Sequence, residues 1–357
     1  MSPLTTTAVS AAARPAAETP TGVALSARGP RVLWLLAAVV VLALVTLASF
    51  AIGARGLALD TVWQALTRFD PANGDHAVVH ARIPRTILGL LAGAALGLAG
   101  AAMQGVARNP LADPGIIGIN AGAALAVVTG IYVFGVSSLT GYIWFAFVGA
   151  AAAAVVVYLI ASLGRDGATP VKLALAGAAL SAGLFSLMNV ILVSSRDTLD
   201  RFRFWQVGGI AGRDWSVILP GLPFLLLGAV MVLATGRILN NLALGDDIAR
   251  GLGQRVGLAR GITALGIVLL CGSATALAGP IGFVGLIIPH AVRFLTGPDY
   301  RWILPFSLVL APALLLSADV IGRVVLLPGE VPAGIMTALV GAPAFVWLVR
   351  RSKGAGL

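Results

Sequence analysis

Ten apolar runs separated by short polar segments decide what this chain can become. The first, residues 33–52, carries no charge and is long enough to cross ~30 Å of hydrocarbon at ~1.5 Å per residue. Further runs follow at 86–105, 115–135, 141–163, 173–194, 216–235 and 261–278, then at 281–295, 303–318 and 331–349. The run from residue 281 is short and glycine-rich, so it is predicted not to cross at full length. Water cannot be the solvent for such a sequence. It is 59% hydrophobic and 11% charged, whereas soluble domains carry about 25% charged residues. The predicted fold is therefore an all-α polytopic membrane bundle of about ten transmembrane helices, occupying residues 31–351. Residues 1–30, rich in Ala, Thr, Pro and Ser without periodicity, read as a disordered tail, and 352–357 as a short C-terminal tail. The first run is too long for the apolar core of a secretory signal and is read as a true span.

Small residues recur at helical spacing in the second run, at Gly89, Gly93, Gly97 and Gly100. Lipid offers helices no hydrophobic reason to associate, so close backbone approach at such residues holds spans together. The net charge of +10 sits in loops between apolar runs, a pattern of membrane topology that gives no nucleic-acid face. An even number of spans puts both termini on one side. With the N-terminus inside, 15 Lys and Arg fall on inner segments and 9 on outer ones, which favours both termini in the cytoplasm.

Several activities lack the residues they need. No GxxxxGK[ST] loop is present to cradle ATP phosphates. His76, His80 and His290 are scattered, and a single cysteine, Cys271, excludes a disulfide framework. No metal site, cofactor or catalytic group is expected. The spans hold almost no carboxylates, which argues against an ion-coupled secondary carrier. Energy must then come from another protein.

Between the sixth and seventh runs lies Leu242-Ala-Leu-Gly-Asp-Asp-Ile-Ala-Arg-Gly-Leu-Gly253. Gly245 and Gly253 bracket a short predicted helix, with Asp246 and Asp247 at its positive dipole end. Leu244, Ile248 and Leu252 share one face, with Ala249 between them. Such a helix either lies in a partner's groove or packs on its own bundle, and the residues alone leave both open. Asn109, Pro110, Asp113 and Pro114 suit a turn in which Pro stops one helix and Asn or Asp caps the next; a gating role is the alternative. Met103, Gln104, Asn120 and Asn189 are soft or polar positions inside spans. They are candidates for a substrate pathway or for hydrogen bonds between helices.

Motifs in order along the chain carry a resemblance. They are Arg82-Ile-Pro-Arg85, Gln104, Arg108-Asn-Pro-Leu-Ala-Asp-Pro114 and Gly118, the loop just described, and Gly279-Pro-Ile-Gly-Phe-Val-Gly-Leu-Ile-Ile-Pro-His290. Ala318-Asp-Val-Ile-Gly-Arg323, Glu330-Val-Pro and Gly341-Ala-Pro343 complete the set. Together they resemble the iron-siderophore, haem and cobalamin permeases of ABC importers, the FecCD-like family. Phe202-Arg-Phe-Trp-Gln206, Leu270-Cys-Gly-Ser-Ala-Thr-Ala276 and Pro312-Ala-Leu-Leu-Leu316 are most similar to a ferric enterobactin-type member. Where such members usually have Gly-Ser, this chain has Gly208-Gly209.

The resemblance implies a type II ABC importer permease fold in the bacterial inner membrane, moving a ferric siderophore, with haem or cobalamin as alternatives. It implies two ATP-binding subunits, a second permease subunit (a related, distinct one favoured over a copy of this chain) and an extracytoplasmic substrate-binding protein. Residues 244–253 would couple to the ATPase. Arg82, Arg85 and Arg323 would meet acidic residues of the binding protein; alone, they read equally as partners of Asp319 and Glu330 or as interfacial side chains.

Overall fold

A computed structural model describes residues 28–163 and 169–353. Of the proposed tails, residues 1–27 and 354–357 lie outside the described residues. Every regular element described is helical. The helices are α1 (Arg28–Ala51), α2 (Leu59–Thr67), α3 (Gly74–Ala107), α4 (Ile119–Phe134), α5 (Leu139–Ser162), α6 (Pro170–Ser194) and α7 (Arg196–Gln206). After them come α8 (Trp215–Ala234), α9 (Gly236–Ala243), α10 (Asp246–Gly251), α11 (Val256–Ala278), α12 (Val284–Thr296), α13 (Tyr300–Val325) and α14 (Ala333–Lys353). Seven are long and apolar enough to cross a membrane, and α4, α12 and the apolar part of α14 are shorter. Each of these ten coincides with one of the ten apolar runs.

The bundle is built around α3. In its most apolar stretch 78% of residues are buried, against 11% in α1, whose Leu33, Trp34, Val40 and Leu44 face outward. An apolar helix with so little cover requires lipid around it. The glycine stripe of α3 does what its spacing promised. A Cβ on Gly89, Gly93 or Gly97 would strike Leu316, Pro312 or Ser307 of α13, and one on Gly100 would fall on the Gly285 carbonyl of α12.

One helix extends far beyond its apolar run. α3 begins at Gly74, capped by the Asn73 side chain, which accepts from the Asp75 N–H. At ~1.5 Å per residue its 34 residues extend ~51 Å, well beyond the hydrocarbon. Pro84 sits inside this extension, so a motif that looked like a boundary lies within the helix. The short polar helices α2 and α7 had no apolar run to announce them. α7 anchors through Phe202 and Trp205, both buried.

Candidate functional site

At one end of the bundle α9 and α10 form a helical hairpin between α8 and α11. Gly245 precedes α10 at φ 113° and Gly253 follows it at φ 80°, conformations that glycine adopts without strain. Asp246 and Asp247 occupy the first turn. Ala249 is fully buried, while Leu244, Ile248 and Leu252 are 58%, 54% and 61% exposed. The apolar face therefore points away from its own bundle. In the described chain nothing covers it.

The hairpin is nonetheless held. The Asp246 carboxylate accepts from Arg260 of α11 at 2.9 Å and from Arg108, which ends α3. Arg108 itself adopts φ 50°, an unfavourable region for a side-chain-bearing residue. Burial and the Arg260 charge both push the Arg108 guanidinium below its usual range. Thus one carboxylate ties the loop helix to the central helix and to α11. Neither arginine was foreseen as a site residue, because nothing in the sequence spacing joins positions 108, 246 and 260. α9 is fixed separately: Asn240 donates to Asp299 at 2.6 Å and accepts from the Tyr300 N–H at 2.8 Å.

The turn after α3 has the capping geometry its residues suggested. The Asn109 side chain accepts from the Leu111 N–H at 2.9 Å and Asp113 from the Gly115 N–H at 2.7 Å. Burial pushes the Asp113 carboxyl above its ordinary range, and the Gly115 bond opposes that shift.

Arg82, Arg85 and Arg323 are brought together at the opposite end of α3. Buried Asp319 accepts from Arg85 at 2.8 Å and from Arg323, and Glu330 accepts from Arg85 at 2.7 Å. Arg323, itself buried, also donates to the Ser49 carbonyl at 2.6 Å and to Ser49 Oγ at 3.0 Å. Arg82 donates to the carbonyls of Phe50 and Arg55 at 2.6 and 2.7 Å. The last carbonyls of a helix lack internal partners and favour cations. Two of these arginines thereby cap α1, and they have internal partners rather than free charge to offer at the surface. Arg85 and Glu330 form the more accessible edge. Near them Arg213 is partly buried in a small recess with its Nε unpartnered.

The four pathway candidates separate. Gln104 is fully buried and donates to the Leu286 carbonyl at 3.1 Å, joining α3 to α12. Asn120 accepts from Thr275 Oγ1 at 2.9 Å, joining α4 to α11. Met103 is buried beside a cleft close to the hairpin. Asn189 is exposed on α6, on a face shared with Ala182, Gly183 and Ser186.

Among the described residues, ten apolar helices, a charge cluster at one end and an uncovered loop helix at the other suit a multi-pass membrane transport permease. The chain belongs to the FecCD transport family, whose model matches residues 21–351. It is 46% identical over 316 residues to the ferric enterobactin transport system permease protein FepD of Escherichia coli (strain K12), covering 88% of this chain and 94% of that protein. It is 41% identical over 327 residues to the iron(3+)-hydroxamate import system permease protein FhuB of Bacillus subtilis (strain 168), covering 90% and 84%. A solved metal-chelate type ABC transporter in an inward-facing conformation superposes with a TM-score of 0.78 at 28% identity, covering 90% of this chain and 99% of that chain. The protein is thus a transporter subunit, and its chemistry is passage rather than catalysis.

Proposed function

We propose that this permease imports a ferric siderophore, driven by ATP hydrolysis in two partner subunits, one of them docked on α10. The observation that carries the reading is the uncovered surface of Leu244, Ile248 and Leu252, on and flanking a helix clamped to α3 and α11 by Asp246. An apolar face of this size suits a groove on a soluble partner. The clamp gives movement in that groove a route into the membrane. This end faces the cytoplasm, as do both termini, in keeping with the excess of basic residues on that side.

A second, related permease subunit packs against the small-residue face of α6, with the pathway between the two subunits and Asn189 on its wall. A substrate-binding protein delivers cargo at the far end, around Arg85 and Glu330, with Arg82 and Arg323 ordering that surface from behind. The identity to a ferric enterobactin permease supports a siderophore cargo. Iron is held by the chelator, so the walls need no metal ligands.

The test is Leu252→Asp. Side chain 252 is exposed in the free chain, so the permease should insert and melt normally. Burying a charge in a docking groove costs several kcal/mol, so co-purification with the ATPase and uptake of labelled ferric siderophore should both be lost. A variant that imports at the normal rate removes α10 from the coupling route.

A further inference from the structure

Close to the α9–α10 hairpin, α3, α5 and α11 enclose a cleft of about 420 Å³, within the ~300–1,000 Å³ typical of small-ligand sites. Its depth is apolar: Met103 and Val106 of α3, Ala154 of α5, Ile267 of α11. Its mouth is cationic, formed by Arg250, Arg255 and Arg260. The one carboxylate in the lining, Asp246, is already held by Arg108 and Arg260. Arg250 pairs with the exposed Asp247 at 2.8 Å. Arg255 is exposed and has no ion pair among the described residues, and the buried Nε of Arg260 lacks a partner. The cleft therefore keeps positive charge at its mouth.

Its position gives that charge a meaning. The cleft spans the first turns of α11 and the last turns of α5, where apolar helices leave the hydrocarbon. Tyr158, 42% exposed, stands on its rim, as tyrosines do at membrane interfaces. A groove that is apolar inward and cationic at headgroup level fits an amphiphile with an anionic head.

We propose that this cleft binds an anionic phospholipid of the adjacent leaflet, its phosphate on Arg255 and Arg260 and an acyl chain along the apolar wall. Lipid in this place touches α3, α11 and the Asp246 clamp together, so it would firm the base on which α10 sits. The site depends on neither the cargo nor the ATPase.

The experiment is native mass spectrometry of the full-length chain, stripped of lipid and titrated with palmitoyl-oleoyl phosphatidylglycerol or the matching phosphatidylcholine. Phosphatidylglycerol should be retained in preference. Arg255→Gln should weaken that retention about fivefold, the equivalent of about 1 kcal/mol per basic side chain near a headgroup, and leave phosphatidylcholine unchanged. Ala264→Phe, which narrows the cleft, should also reduce retention of phosphatidylglycerol without shifting the melting temperature in detergent. Neither inorganic phosphate nor glycerol phosphate should displace the lipid. Equal retention of the two lipids, or full retention by Arg255→Gln, overturns the proposal. Displacement by inorganic phosphate overturns it too, by making the site one for free phosphate.

Discussion

Replacing Asp246 with alanine should uncouple the loop helix from the bundle while leaving its apolar face intact. The side chain retains 27% exposure, Arg108 33% and Arg260 15%. Charge-assisted hydrogen bonds contribute ~1.5–3 kcal/mol each when well enclosed, and solvent screening at this exposure reduces the pair to a combined ~2 kcal/mol. That shifts the balance between held and detached α10 about thirtyfold toward detachment. Asp247→Ala is the matched control. It occupies the same first turn, but its side chain is 98% exposed and bonds only Arg250 among the described residues, so it removes the dipole contribution without the clamp. In proteoliposomes with the partner ATPase, Asp246→Ala should still bind the ATPase and permit hydrolysis. Substrate moved per ATP should fall severalfold, while Asp247→Ala stays near the unmodified ratio. Equal transport ratios for the two variants would refute the clamp as the transmitting contact.

At the other end, Asp319→Ala leaves two guanidinium groups facing each other without their shared carboxylate. Removing one partner of a buried pair costs ~3–5 kcal/mol, so a large fall in melting temperature in detergent is expected. Gly100→Val drives a side chain into the Gly285 backbone and should cost ~1–3 kcal/mol or more, read by the same melt. Asp113→Asn keeps an oxygen for the Gly115 N–H. Because burial raises the Asp113 carboxyl in the folded chain, its ionisation opposes folding as pH climbs through that raised value. The variant should therefore be more stable at neutral pH, with the gain fading as pH falls into the ordinary carboxylate range.

The ten apolar helices were legible because hydrocarbon imposes a length and excludes charge, and both constraints are written linearly. The glycine stripe of α3 was legible for the same reason, since its spacing is that of one helix face. The extension of α3 was not. Arg82, Pro84 and Arg85 look like the edge of a span, yet the helix continues because its polar turns bond α1 and α13 instead of water. α2 and α7 escaped notice because each is too short and polar to show an apolar run. At the loop helix, local spacing revealed the exposed Leu–Ile–Leu face, but the Asp246 clamp joins residues far apart in the chain. The arginine cluster was half legible. The i,i+4 pair of Asp319 and Arg323 can be read from the sequence, whereas the capping of Ser49 by a residue 274 positions later cannot.

That last contact sets an order of assembly. α1 comes before α3 and α13 along the chain, yet the groups that satisfy its final carbonyls are Arg82 on α3 and Arg323 near the end of α13. Only 11% of the apolar stretch of α1 is buried, so few other contacts settle its place. The seam between α1 and the rest of the bundle therefore closes only when α13 docks and brings Arg323 to Ser49.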